Sequence, residues 1–236
     1  MLVPSLNRVS EIISIESILK LIVTSYLDIV KLISTRYYSR MKEKSGRSYQ
    51  LYNFVERLSN LLRAEGWRVG KTHGLQPIQL QMLGYLTICN RYSNTPAGVA
   101  EYFGLTKGTV SQSLIALETQ GLIGKQADSK DGRVVHILVT TAGQLIVDED
   151  LPPALLCTAL NELSTAEQEQ ATHLLKRLLV ALQKAHQTRS FGVCSSCRYH
   201  QVEGSDSFRC GLTQEPLTNE EIGLICREHQ SAEIGA

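Results

Sequence analysis

The chain lacks an uncharged apolar run long enough to cross a membrane. The one stretch of sufficient length, near its start, contains Glu16, Lys20, Asp28 and Lys31, and each such charge costs on the order of 3 kcal/mol at the centre of a bilayer. The chain also lacks a recognisable signal peptide and a large net charge, with 24 Lys and Arg against 23 Asp and Glu. These features predict a cytoplasmic protein with no membrane partner.

Catalytic signatures are missing as well. The sequence has no glycine-rich nucleotide loop and no Ser, His and Asp grouping. It does have enough apolar residues, 43% of 236, to bury a core in one or two domains. Residues 36–71 hold nine Lys or Arg against three Glu, whereas residues 203–233 hold seven acids against two Arg. This asymmetry is typical of a protein that meets a polyanion with one face, and a solvated charged surface is the alternative.

The first 47 residues form a segment of their own. Their apolar residues recur in steps of three and four, as in an amphipathic or coiled helix, at Ile12, Ile15, Leu19, Ile22, Tyr26, Ile29 and Ile33. This segment is either an added dimerisation helix or the result of a misplaced translation start. The second alternative arises because Met41 leads directly into the first well-formed helix.

Longer helices are predicted on both sides of the middle of the chain. Apolar residues at helical spacing indicate one helix from Leu51 to about Gly66, a second over 77–91, and further helices over 141–184. Ser164 and Glu167 form a capping box for the last of these. Its apolar stripe consists of Ala171, Leu174, Leu175, Leu178 and Leu182. Periodicity alone does not distinguish a core-facing stripe from a dimer interface.

A helix-turn-helix motif is predicted between these longer helices. Thr95 caps a short helix that Gly104 ends, and Thr106 caps the next helix, which stops at Gly121. Small polar residues at the start of this second helix allow it to enter a groove about 12 Å wide and to hydrogen-bond to base edges. The predicted DNA-binding residues here are Thr106, Lys107, Thr109, Ser111 and Gln112.

A β-hairpin is predicted directly after the motif. Residues 122–126 and 133–139 have strand composition, and the polar sequence 128–132 separates them. Lys130 and Arg133 at the tip would reach phosphates or the minor groove, as a wing does.

These motifs together resemble the MarR family of winged-helix regulators. The resemblance covers about residues 48–185 and depends on Leu105-Thr-Lys-Gly-Thr-Val-Ser-Gln112, Leu117-Glu-Thr-Gln-Gly-Leu-Ile123 and Asp128-Ser-Lys-Asp-Gly-Arg133. It implies an obligate homodimer built by the first and last helices, with Asp131 bracing the wing and Arg133 inserting into the minor groove. The family usually has arginine where Lys130 stands, so the charge is kept and the bidentate geometry is lost.

Four cysteines in the last 45 residues indicate a metal site. Cys194 and Cys197 are two residues apart, which lets one turn direct both thiolates at the same ion, and Cys210 and Cys226 follow after twelve and fifteen intervening residues. The segment has few apolar residues, and modules below roughly 40 residues usually need a metal or disulfides to fold. We predict one metal centre per chain, either a zinc ion or an iron–sulfur cluster, because both accept four thiolates.

Neighbouring residues support this prediction. Thr218 and Glu221 form a capping box that predicts a short helix ending near Cys226. Arginines beside three of the thiols would offset the thiolate charge. They are Arg198, Arg209 and Arg227. His229 is a substitute ligand or an outer partner, while Cys89 and Cys157 fall at apolar helix positions that indicate core packing.

The four cysteines are also compatible with roles other than metal or redox sensing. Disulfides are disfavoured because cytoplasmic thiols stay reduced. A thioredoxin-like thiol oxidoreductase, which would make the protein an enzyme, requires a strand before Cys194 and a βαβ unit after it. The segment is alternatively a zinc module that docks another protein.

The sequence thus predicts a mainly α protein with a small β wing (α+β). Its three parts are an N-terminal extension (1–47), a dimeric winged helix-turn-helix region (48–186), called the winged-helix region below, and a small metal-stapled segment (187–236), called the cysteine module. The expected function is transcriptional regulation, as a repressor, on a pseudo-palindromic operator. The cysteine module is expected either to stabilise the dimer or to sense metal, redox state or oxidant. Its expected partners are duplex DNA, a second copy of the chain and a small-molecule effector.

Overall fold

The computed structural model describes residues 31, 34, 35 and 46–232. The predictions for the N-terminal extension, including its apolar helix and the alternative start at Met41, lie outside the described residues. Within the described part of the chain, no helix is both long and apolar enough to span a bilayer.

The winged-helix region consists of helices with one hairpin. Its elements are α1 (Arg47–Thr72), α2 (Pro77–Ile88), α3 (Pro96–Phe103), α4 (Lys107–Thr119), β1 (Ile123–Ala127), β2 (Val135–Val139), α5 (Thr141–Asp150), α6 (Ala154–Leu160) and α7 (Thr165–His186). The antiparallel hairpin pairs Ile123 with Val139 and Ala127 with Val135. The mainly α prediction with a small β wing is therefore confirmed.

The ends of the helix-turn-helix motif are set by side chains and glycines within the motif. The hydroxyl of Thr95 accepts a hydrogen bond from the Gly98 backbone at 3.1 Å, and that of Thr106 accepts one from Thr109 at 3.2 Å. Gly104 ends α3 with a φ of 62°, a left-handed conformation that glycine adopts without a Cβ penalty. These boundaries confirm the sequence prediction.

Two of the longer helices have different ends from those predicted. α1 continues through Gly66 to Thr72, because an isolated glycine costs a helix only about 1 kcal/mol. A Cβ at Gly70 would lie 2.5 Å from the Leu75 carbonyl oxygen, so this glycine allows the chain to turn closely past the helix. α2 ends at Ile88 instead of Arg91, because Cys89 is extended and pairs with Ile225 of the cysteine module.

The apolar faces predicted for α1 and α7 are exposed on the described chain. On α1 the exposed residues are Leu51, Phe54, Val55, Leu58, Leu61 and Leu62. On α7 the predicted residues Leu174, Leu175 and Leu182 are exposed, as are Leu179 and Val180, while the predicted Ala171 and Leu178 are half-buried. The α7 stripe is therefore not buried by core packing within the described residues.

The cysteine module is built from very short strands and turns. Its elements are β3 (Gly192–Val193), a 3-10 turn (Cys194–Ser196), β4 (His200–Val202), β5 (Phe208–Cys210), β6 (Pro216–Leu217), a second 3-10 turn (Glu221–Gly223) and β7 (Ile225–Cys226). β3 pairs antiparallel with β7, and β4, β5 and β6 form a separate antiparallel sheet.

The module shares the hydrophobic core of the winged-helix region. Phe191 is only 7% exposed, and its ring lies 5.2 Å from that of Tyr102 and 6.3 Å from that of Tyr85. Ile225 packs against the same core. The sequence predicts a segment stapled by a metal, and the structure shows in addition that part of its apolar surface is buried against α2 and α3.

Candidate functional site

The predicted recognition residues are exposed at one end of α4. This helix turns Val110, Leu114 and Leu117 into the core, which leaves its other face to solvent. All five predicted side chains are exposed, namely Thr106, Lys107, Thr109, Ser111 and Gln112. The structure therefore places hydroxyl, amide and ammonium groups at a helix N-terminus, where free backbone N–H groups also favour an anion.

Two of these five residues also hold the helix end in place. The Thr106 hydroxyl caps α4, and it lies 3.0 Å from the hydroxyl of Thr109. Lys107, Ser111 and Gln112 have no such second contact among the described hydrogen bonds, so they are the freer candidates for contacts to DNA.

The wing tip is organised around Asp128. Its Oδ1 accepts hydrogen bonds from the backbone N–H groups of Lys130 and Asp131, both at 2.8 Å, and its Oδ2 lies 3.0 Å from His136 Nε2. The hydrogen bond to His136 and then those from the backbone lower the pKa of Asp128 to about 2. The tip is thus fixed by a carboxylate that is charged at neutral pH.

The two wing cations have different partners. Arg133 is 92% exposed and donates two hydrogen bonds to the Asp131 carboxylate, at 2.9 and 2.8 Å, in a bidentate pair. Lys130 forms an ion pair with Glu215 of the cysteine module. One cation is therefore held by its own wing and the other by the module.

Sequence patterns did not reveal the residues that connect the wing to the rest of the domain. The Nδ1 atom of His136 lies 2.7 Å from the side-chain oxygen of Asn94, and the Asn94 carbonyl accepts a hydrogen bond from Ile137 at 2.7 Å. Asn94 belongs to the turn Asn90–Asn94, called the 90–94 turn below. Spacing gave no signal for this pair, because the two residues lie 42 positions apart.

The four predicted metal ligands border one small cavity. Cys194, Cys197, Cys210 and Cys226 line it with Asn90 and His200 among others, and its volume is about 10 Å³. All six cysteines of the chain are free thiols. In the part of the chain that the structure describes, no three His, Cys, Asp or Glu side chains are arranged as ready ligands. Four cysteine thiols around one cavity are a donor set that both zinc and an iron–sulfur cluster accept.

Several polar groups are directed at these sulfurs. Gln230 donates its backbone N–H to Cys197 Sγ at 3.4 Å. Burial raises the pKa of the Cys226 thiol, and hydrogen bonds from the Asn90 side chain and the Glu228 backbone oppose that shift. Burial, followed by the proximity of the other three cysteines, raises the pKa of Cys194 to about 11. The thiols are therefore close enough to repel one another when they are deprotonated.

The two histidines near the cavity differ in their partners. Both ring nitrogens of His229 are bonded to serine hydroxyls, to Ser190 at 2.7 Å and to Ser196 at 3.0 Å. Gly192 makes room for this ring, since a Cβ there would lie within 2.6 Å of three ring atoms. By contrast, His200 Nδ1 is buried with no hydrogen-bond partner among the described residues. His229 is therefore an outer support. His200 lines the cavity, and one of its ring nitrogens has no described hydrogen-bond partner.

Two expectations for the module are corrected. The Thr218–Glu221 capping box forms, with hydrogen bonds of 2.9 and 3.2 Å, but it caps one 3-10 turn instead of a helix. Cys226 lies on strand β7 because the chain becomes extended at Leu224 and pairs with β3.

The arginines beside the thiols are not placed to offset thiolate charge. Arg209 is paired with Glu203 at 2.6 Å, and Arg227 makes a bidentate pair with Glu101 of α3 at 2.6 and 2.7 Å. Arg198 lies over the ring of Tyr199. One of the three thus joins the module to the winged-helix region, and none of them has a cysteine as its described partner.

Comparison with known proteins agrees with the fold and the motif. A model of the MarR family matches residues 73–134. The chain is 32% identical over 135 residues to the uncharacterized HTH-type transcriptional regulator YxaD of Bacillus subtilis (strain 168), covering 55% of this chain and 88% of that protein. The chain belongs to the MarR family. The uncharacterized HTH-type regulator YkoM of the same organism is 28% identical over 141 residues, covering 58% of this chain and 88% of YkoM.

Solved structures of similar proteins cover a similar share of the chain. The S. aureus MepR–DNA complex is 25% identical, covers 58% of this chain and 98% of its own, and has a TM-score of 0.44. A probable transcriptional regulator from Pseudomonas aeruginosa is 29% identical, with coverage of 53% and 95% and a TM-score of 0.40. The MarR family match ends at residue 134 and does not extend to the cysteine module.

Proposed function

We propose that this protein is a homodimeric MarR-type repressor that binds a pseudo-palindromic operator in duplex DNA. The observation that supports this most directly is the polar, exposed N-terminal end of α4 in a chain that also presents Arg133 on a braced wing. Ser111 and Gln112 would hydrogen-bond to base edges in the major groove, while Lys107 and Arg133 would supply charge to the backbone and minor groove.

A second copy of the chain is the proposed partner of the exposed faces on α1 and α7. Each of these helices leaves a stripe of large apolar side chains exposed, and exposed apolar surface of this kind marks an interface in soluble proteins. MarR membership supports a two-fold arrangement, which would place the operator half-sites about one helical turn apart.

The DNA assignment is tested by comparing an operator fragment, selected from genomic DNA, with a random duplex. Arg133→Ala should weaken binding to both and flatten the salt dependence, because a wing cation supplies mainly charge. Gln112→Ala should narrow the difference between the two duplexes by roughly 1–3 kcal/mol per lost base contact. Gln126→Ala, an exposed glutamine of β1, is the matched control and should change neither. Equal losses on both duplexes for Arg133→Ala and Gln112→Ala would refute these roles.

The dimer is tested by sedimentation. Leu175→Glu should give a monomer, because it puts a charge into the exposed stripe of α7. Leu145→Glu, at an exposed position of α5, is the control and should leave the assembly unchanged. Removal of residues 1–40 should also leave the dimer intact. A monomeric truncated protein would mean that the N-terminal extension belongs to the interface.

We also propose that the four cysteines hold one metal centre per chain, zinc or an iron–sulfur cluster, whose state sets operator affinity. The supporting observation is that all four thiols border one cavity that His200 also lines, and that Gln230 donates its backbone N–H to the sulfur of Cys197. Groups of this kind orient and stabilise thiolate ligands. Metal binding by the thiolates would release their protons, and the positive charge of the ion would offset the repulsion among the four thiolates.

Metal analysis of protein purified without oxygen tests this site. One equivalent of zinc, or iron and sulfide with visible absorption, is expected per chain, and the absorption distinguishes the two centres. Cys194→Ser should abolish the metal, while Cys157→Ser, on α6 outside the cavity, should keep it. Neither metal above trace amounts would overturn the proposal. A thiol oxidoreductase is less well supported, since β3 before Cys194 belongs to an antiparallel pair and not to a βαβ unit.

A further inference from the structure

Glu215 joins the cysteine module to the wing through an ion pair. Glu215 accepts a hydrogen bond from the Tyr92 hydroxyl at 2.5 Å, lies 3.5 Å from the Arg91 guanidinium and pairs with the ammonium group of Lys130. Lys130 is 77% exposed, whereas Glu215 is 28% exposed. The carboxylate is thus set firmly against the 90–94 turn, and the lysine reaches over to it from the wing tip.

The position of Glu215 depends directly on the cysteine cavity. Its carbonyl accepts the backbone N–H of Cys210 at 2.9 Å, and Gln214 donates to the Cys210 carbonyl at 2.7 Å. Gln214 has a φ of 60°, which closes a tight turn immediately after this cysteine. These two hydrogen bonds and the tight turn couple the backbone of Glu215 to that of Cys210.

A second route joins the same cavity to the same wing tip. The Asn90 side chain contacts Cys226, and Asn90 Oδ1 accepts hydrogen bonds from Tyr92 N–H at 3.2 Å and Ser93 Oγ at 2.7 Å. Ser93 Oγ in turn accepts the backbone N–H of Arg227 at 2.7 Å. At the other end of the 90–94 turn, Asn94 holds the wing strand through His136. Both ends of this turn are thus engaged, one by the cysteines and one by the wing.

We propose that Glu215 is an internal competitor of DNA phosphate for Lys130, and that the metal centre determines whether it stays in place. The inference rests on the proposed function and adds the regulation of that site. With the module docked, each wing has Lys130 neutralised and an extra carboxylate near the tip. With the centre lost, the Cys210 turn relaxes, Glu215 withdraws and Lys130 becomes available to the DNA backbone.

This competition has a measurable signature in salt dependence. Each additional phosphate contact steepens the slope of log K against log salt by about 0.9 for duplex DNA. Glu215→Gln in the full-length protein should therefore bind a random-sequence duplex several-fold more tightly at low salt and with a slope steeper by about 0.9 per engaged wing. Glu203→Gln is the matched control, because it removes the same charge from the same module at a carboxylate paired with Arg209. It should leave the slope unchanged.

Two further variants locate the effect. On a Lys130→Gln background, Glu215→Gln should have no effect, because the competed cation is absent. Removal of the metal with a chelator should steepen the slope of the wild type and should not steepen that of Glu215→Gln further. Circular dichroism of the chelated protein should retain the helical signal of the winged-helix region.

The outcomes separate this inference from the proposed function. A wild type that binds no duplex overturns the proposed function and this inference with it. A wild type that binds, with Glu215→Gln and Glu203→Gln giving the same slope, overturns the inference alone. The same holds if chelation leaves the wild-type slope unchanged or changes both proteins equally, since the metal would then act by another route or not at all.

Discussion

The winged-helix region and the cysteine module are held by contacts of different range. In the helix-turn-helix motif, the caps at Thr95 and Thr106 join groups three residues apart. In the module, the contacts that fix its position join residues 126 apart in the Arg227–Glu101 pair and 85 apart in the Lys130–Glu215 pair. Local capping defines helices one by one, whereas the module acquires its position only when the winged-helix region has folded.

The winged-helix region and the cysteine module also differ in how much apolar surface they bury. α2 to α5 enclose an extensive core, with Met82, Leu83, Val99 and Leu117 fully buried. The described part of the module has few residues of this kind, so Phe191 and Leu217 have to be supplemented by docking and, in our proposal, by metal. We therefore expect the module to depend on the winged-helix region much more than the reverse.

Phe191→Ala is the change with the largest expected effect on this relationship. It removes the ring that packs on Tyr85 and Tyr102, and deletion of a buried phenylalanine typically costs about 3–5 kcal/mol in the free energy of unfolding. Urea unfolding followed by circular dichroism measures it. Val202→Ala, at a 67% exposed position of the same module, should stay within about 0.5 kcal/mol.

A small effect of Phe191→Ala would contradict the shared core. If the loss were below about 0.5 kcal/mol, the size of an ordinary surface change, the module would merely rest on the winged-helix region and would fold by its own ligands. Two separate unfolding transitions in the wild type would support the same conclusion.

The sequence was most informative where structure is determined locally. The caps at Thr95, Thr106 and Ser164, the glycine at Gly104 and the hairpin after Gly121 were all predictable, because each depends on residues within a few positions. The MarR resemblance followed from the same segment. The outward positions on α4 were predictable because helical periodicity fixes which side chains the core takes.

The sequence was least informative where two distant segments meet. Spacing did not indicate that Asn90 links the cysteines to the 90–94 turn. It also did not indicate that Asn94, His136 and Glu215 meet at the wing. The spacing of the four cysteines predicts one shared site, and the four residues line one cavity. The arginines beside them, by contrast, pair with Glu203 and Glu101 and not with the thiols. The predicted end of α2 at Arg91 is wrong for the same reason. Cys89 pairs with Ile225 of the module, so α2 ends at Ile88.

The capping boxes offer a smaller test with the same motif in both regions. Ser164→Ala should cost about 1 kcal/mol, because its box starts the 22-residue helix α7. Thr218→Ala should cost less, about 0.5 kcal/mol at the low end for caps, because its box closes a single 3-10 turn that Arg91 also holds through Glu221 at 3.2 Å. Chemical denaturation of both variants under one set of conditions gives the comparison. A larger loss at Thr218 would mean that the module stabilises the chain more than its size suggests.

Acidification has the smallest expected effect. It tests the contacts of Asp128 within the wing, which lie beside the long-range pair of Lys130 with Glu215. The pKa of Asp128 is lowered to about 2 by its hydrogen bonds to His136 and to the backbone of Asp131 and Lys130, compared with about 3.9 in an unfolded chain. A depressed carboxyl pKa stabilises the folded wing fully above about pH 4, and that contribution is lost as the pH falls through about 2. The amide signal of Lys130, which donates to Asp128, should shift in this window with a midpoint near 2 when followed by NMR, and this transition should be absent in Asp128→Asn. Because this contact lies within the wing, the midpoint should be the same in Glu215→Gln, which lacks the carboxylate that pairs with Lys130. A midpoint that moves in Glu215→Gln would show that the module controls the internal structure of the wing and not only the charge of Lys130.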